Sequence, residues 1–199
     1  MDPAGCTGAE VYPDMSGGIQ DSALSRLNFD RLSFDPQELS ARLAAAEDWG
    51  KLVVCHIYLD HILTAALTDH MPRAESYLKS GYKTFADKVA LCQALAIIDD
   101  EIAATLKSIN GYRNKFAHRL VFDVPDETKV ALFKEFSPSR PKAHVLGPEG
   151  FDNFLFSVVM LSEFERIYTQ VIAEKDREIA FNRERMLEIA IDMFLEQRI

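Results

Sequence analysis

The chain has 199 residues, 48% of them hydrophobic, and a formal net charge of −9. That length fits one domain with at most an appendage, and that apolar content excludes a wholly disordered chain. The acidic balance argues against broad, salt-driven binding of duplex DNA, but it leaves room for a small basic groove that meets a few phosphates.

Residues 1–33 read as a loose leader, because Met1 to Gly18 is rich in Gly, Pro, Ser and Asp and has no periodicity. Asp35-Pro36 is an N-cap followed by Pro at the first helical position, and it predicts a short helix over 37–47. A second helix over 49–69 is apolar nearly all round (Leu52, Val53, Ile57, Leu59, Ile62, Leu63, Leu67) and should be central and buried, with Pro72 after its end. Thr84-Phe85-Ala86-Asp87 resembles a capping box and opens a helix to about Ile97. Asp99, Asp100 and Glu101 put negative charge at the start of the next helix, which runs to about His118. Val121 to Pro125 is an extended link, 126–136 another short helix, and 137–150 a Pro/Gly loop. The last apolar pattern runs from Phe151 to Leu195. Unbroken, it would span roughly 70 Å, so a break or a projection is expected near the charged stretch 174–185. Its apolar stripe needs a partner, either the bundle itself or a second subunit. The expected fold is all-α: an antiparallel helical bundle over 34–172, with a C-terminal helical extension over 173–199.

No run of about 18 uncharged apolar residues is present, and no basic stretch leads into an apolar one at the N-terminus. Neither a membrane partner nor a secretory signal is therefore expected. Cys6, Cys55 and Cys92 lack zinc-ligand spacing; Cys55 and Cys92 read as small core residues, and a reducing, cytoplasmic setting follows.

The chemistry concentrates between Ile102 and Phe122, where Lys107, Arg113, Lys115 and Arg119 occur with no acid. At about 100° per residue, Ile102, Leu106, Ile109, Arg113, Phe116 and Leu120 share one stripe. Arg113 thus falls on an apolar face and calls for an acid, carbonyls or an interface groove; Asp87, Asp60 and Glu75 are candidate acids. Asn114 and His118 share a different face with Gly111 and Lys107 nearby, and Gly111 would let a ligand approach the backbone. Arg113 and His118 lie about 140° apart on an ideal helix. A shared target then needs either a loosened helix near Phe116 or two copies of the motif meeting across a dimer. The plainer reading makes Arg113 a structural ion pair, Asn114 a surface amide and His118 a partner of the helix dipole.

His56, Asp60 and His61 invite a metal reading, but only His56 and Asp60 share a face; local hydrogen bonding is the better expectation, with no metal and no cofactor. His70 reads as a helix-end cap, His144 as an exposed loop residue, and Trp49 as a core or helix-start residue. The mixed charges over 174–188 read as a solvated face or a coiled-coil flank.

Arg113-Asn114-x-x-x-His118 resembles the signature of the HEPN superfamily, in which an Arg and a later His close a helix of a small all-α bundle. The match extends to KTFADKVALCQALAII (Lys83–Ile98) and YRNKFAHRLVFDVPDE (Tyr112–Glu127), which are similar to the mannitol operon repressor-like branch. The sequence departs from that branch near Ile97-Ile98, where a Gly often precedes the Ile. The resemblance covers roughly Trp49 to Tyr168. It implies a homodimer whose two motifs share a cleft, with Arg113, Asn114 and His118 as site residues. Lys115, Arg119 and Lys107 join them as substrate-binding candidates on charge alone. Many members of the superfamily are metal-independent endoribonucleases, often toxins held by an antitoxin or phage-defence effectors that act on RNA. Others are inactive scaffolds, and the mannitol branch is named for transcriptional repression. A nuclease, a non-catalytic transcriptional regulator or interaction module, and a structural dimer are the three readings that follow.

Overall fold

The computed structural model describes residues 31–79, 83–117, 123–136 and 150–196, with side chains along the last helix described as far as Ile189. Among these residues the secondary structure is helical and no strand occurs. The elements are α1 (Pro36–Ala45), α2 (Asp48–His70), α3 (Ala74–Lys79), α4 (Phe85–Ala94), α5 (Asp100–Ala117), α6 (Asp126–Glu135) and α7 (Phe151–Glu196).

Local chemistry sets the helix starts. Asp35 accepts a hydrogen bond from the Gln37 N–H, and Pro36 occupies the first helical position, where its missing N–H costs nothing. Thr84 and Asp87 close the expected capping box in both directions. Asp99 accepts from the Ile102 N–H at 2.7 Å and starts α5.

The stop of α4 differs from expectation. It ends at Ala94 rather than near Ile97, because Ala96 adopts φ 55°. The Ala96 N–H bonds to the Gln93 carbonyl and the Ile97 N–H to the Cys92 carbonyl, the pair of bonds that closes a Schellman motif. An alanine occupies the left-handed position that glycine usually fills. That turn drives Ile97 and Ile98 into the core. The short α3 had no counterpart in the sequence reading.

α2 is the central element, packing against α7, α4, α5, α1 and α3. It is long and apolar enough to cross a membrane by length and composition alone. Here, however, Leu52, Cys55, Leu59, Ile62, Leu63 and Leu67 are buried in the protein core. Trp49 packs on the edge of that core. The His70 ring bonds to the Ala66 carbonyl at 2.9 Å, the local cap expected of it. Burial raises the Cys55 thiol and pushes Cys92 up to about 12, so both are inert packing residues. The leader over 1–30, Cys6 and His144 lie outside the described residues.

α7 runs without a break from Phe151 to Glu196. Of the two outcomes expected for the charged stretch, projection is the one observed. Phe151, Phe154, Leu155, Val158 and Val159 are core residues, whereas every residue from Glu174 to Ile189 is exposed. The fixed point between α7, α2 and the segment before α1 is an ionic cluster. Arg166 reaches Glu163 at 2.8 and 2.9 Å, Asp69 at 2.5 Å and the Arg31 carbonyl at 2.8 Å. Glu163 in turn accepts from the Ser33 N–H at 2.6 Å.

Candidate functional site

α5 carries the basic motif on its last two turns. Ile102, Leu106, Ile109 and Phe116 are buried as the stripe predicts, but Arg113 on the same stripe is only half-buried. The helix reaches the rim of the core there, so the guanidinium stays in contact with water.

None of the three expected acids meets it. Asp60 accepts two bonds from the Lys88 ammonium at 2.7 and 2.8 Å, Asp87 is held in the α4 capping box, and Glu75 pairs with Lys79. Among the described residues no carboxylate forms an ion pair with Arg113. Its Nη1 instead donates to Asn114 Oδ1 at 2.8 Å. The Asn114 amide nitrogen lies 3.5 Å from Asn110 Oδ1, and His56 Nε2 lies 3.1 Å from that same oxygen. A polar chain thus runs Arg113–Asn114–Asn110–His56, from α5 across to α2. Among the described residues one guanidinium nitrogen is engaged by a side chain, which leaves the other N–H donors of the fork to a ligand.

His56 is the residue that the sequence did not assign to this site. It is half-buried, and its ring lies 4.4 Å from that of Phe85. Burial lowers its pKa below the usual histidine value, and the nearby Arg113 charge lowers it further, against the opposing effects of Asn110 and Asp60. The ring is therefore neutral near pH 7. Donating through Nε2 to Asn110 leaves its lone pair on Nδ1, as a proton acceptor requires. The only sequence signal was the shared face of His56 and Asp60. The contact that matters spans 54 positions, and no periodicity reveals it. The other residues of the metal reading disperse: Asp60 is held by Lys88, and His61 Nε2 contacts the Ser33 carbonyl at 3.1 Å.

The other basic residues divide. Lys107 donates to Gln93 Oε1 at 3.0 Å on α4, away from the Arg113 chain, so the structure does not gather it into this site. Lys115 is exposed, sits 5.9 Å from the Tyr112 ring, and borders a shallow depression with Ser108, Gly111 and Tyr112. A Cβ added at Gly111 would meet nothing within 4 Å, so no packing among the described residues requires a glycine there. His118 and Arg119 lie outside the described residues.

No protein-family model, curated protein or solved structure matches this chain.

Proposed function

We propose that this chain is a metal-independent endoribonuclease of the HEPN type, a cytoplasmic toxin or defence effector with a helical-bundle fold. Arg113 binds the scissile phosphate, Asn114 orients it, and His118 transfers protons. The observation that carries this reading is the state of Arg113: a half-exposed guanidinium tethered by Asn114, without a carboxylate among the described residues, in a network that ends on His56.

Cleavage without metal requires a base to take the proton from the ribose 2′-OH as its oxygen attacks the adjacent phosphorus. The P–O5′ bond then breaks, and an acid returns a proton to O5′. Arg113 would stabilise the extra charge on the non-bridging oxygens by a two-pronged contact. Histidine suits both proton transfers, and such help contributes about 10²–10⁴-fold. A homodimer with two converging motifs would supply two copies of His118 to one phosphate. His56, neutral and on the same network as Arg113, offers a second imidazole within one chain.

The alternative is a non-catalytic regulator or interaction module of the mannitol repressor-like kind, and the net charge of −9 favours it by limiting long-range attraction of RNA. Incubating a defined single-stranded RNA with the protein in EDTA separates the two. The nuclease reading expects cleavage by wild type and none by His118→Ala. Equal cleavage by both proteins, or by neither, rejects it.

A further inference from the structure

The projecting part of α7 carries large apolar side chains that the bundle leaves uncovered. Ile172, Ile179, Met186 and Ile189 are 42%, 64%, 67% and 46% exposed. Glu174 to Ile189 extends for roughly 24 Å, a length at which a helix in water is marginal without tertiary support. The spacing of the apolar residues is regular. Ile172, Ile179 and Met186 recur every seven residues, and a second row of the same period is apolar at its ends, Tyr168 and Ile189, and polar at Lys175 and Asn182 between them. Two rows offset in this way are the a and d positions of a coiled coil. Phe181 and Leu187 lie off this seam.

The charged flanks select the orientation. Consider two copies of α7 running antiparallel, with a two-fold axis between Ala180 and Phe181. Ile172 then faces Ile189 of the second copy, Ile179 faces Asn182, and Met186 faces the aliphatic stem of Lys175. On one flank Asp176 meets Arg183, and on the other Glu178 meets Arg185. Each pair occurs twice, so every one of these contacts joins opposite charges. A parallel pair in register would instead stack Lys175 on Lys175 inside the seam and keep only the Glu178–Arg183 pairing. It would also place two acidic bundles side by side, whereas the antiparallel pair holds them at opposite ends.

We propose that α7 pairs with α7 of a second copy of this chain as an antiparallel coiled coil in that register. This assembly stands apart from the ribonuclease reading and shares no residue with the Arg113 network. Its two bundles would lie roughly 60 Å apart along the helix axis. A cleft shared by two motifs would need a separate contact.

Light scattering on the full chain tests the assembly. Wild type should have twice the chain mass. Arg183→Glu with Arg185→Glu should bind itself at least about tenfold more weakly and run as a monomer that loses helicity only from the projecting part of α7. Asp176→Arg with Glu178→Arg should do the same, and mixing the two variants should restore a dimer. For orientation, Ile172→Cys and Ile189→Cys proteins, each also carrying Cys6→Ser, are mixed and oxidised. A disulfide joining 172 to 189 supports the antiparallel register, and 172–172 linkage overturns it. A monomeric wild type, or a dimer that survives both charge reversals, overturns the interface. Because both readouts are mass and linkage, RNA cleavage can be present or absent without affecting them.

Discussion

Arg166 and Arg113 are the same side chain in two different states. Arg166 is buried, and every arm of its fork is occupied: Glu163 takes two bonds, Asp69 one and the Arg31 carbonyl one. Those partners hold its pKa up. Arg113 is half-buried and gives one bond to a neutral amide. A buried arginine with two carboxylates ties elements together and has nothing left for a ligand. A rim arginine whose partner among the described residues is an asparagine is positioned without being neutralised by them. The difference separates a structural cation from a binding one.

The largest expected effect lies at the structural arginine. Arg166→Ala strands the fully buried Glu163, and chemical denaturation should show a loss of about 3–5 kcal/mol. Arg113→Ala should instead stay within about 1 kcal/mol of wild type while RNA cleavage falls about 10²–10³-fold. Comparable loss of stability in both variants would erase the distinction.

A smaller effect should appear in pH dependence. The folded pKa of His56 is lowered, so below the ordinary histidine value of about 6.5 the unfolded chain takes up a proton that the folded chain refuses. This contribution to stability is present above that value and declines as pH falls from there towards the folded pKa. His56→Gln should flatten the slope of denaturation midpoint against pH in that window, and an unchanged slope would remove His56 from the Arg113 network.

Gly111→Ala fills open space and should stabilise the helix by about 1 kcal/mol. If a strand lies along that part of α5, the added methyl should also slow cleavage; a rise in stability with unaltered cleavage would place the strand elsewhere. The smallest effect is expected at the α4 stop, where Ala96→Gly relieves the left-handed alanine and should raise stability by about 0.5–1 kcal/mol.

Features governed by a few neighbouring residues were legible in the sequence. Asp35-Pro36, the Thr84–Asp87 box and the apolar circumference of α2 announced their roles because caps and periodicity are local. The Ala96 turn was not legible, since only a glycine would have signalled φ above zero. Nor was the depth of Arg113. Helical projection gives the direction of a side chain but not where the core ends, and at Arg113 the helix has reached the rim. His56 and the Asp69 and Arg31 contacts of Arg166 were missed for a related reason, because those partners come from distant segments that meet only on folding.

The most direct measurement is the affinity of wild type and Arg113→Ala for a 2′-O-methyl RNA strand that cannot be cleaved, followed in EDTA at fixed low salt. One charge-assisted contact to phosphate predicts binding at least about tenfold weaker in Arg113→Ala. Equal affinity for the two proteins would mean that the open guanidinium of Arg113 does not bind phosphate.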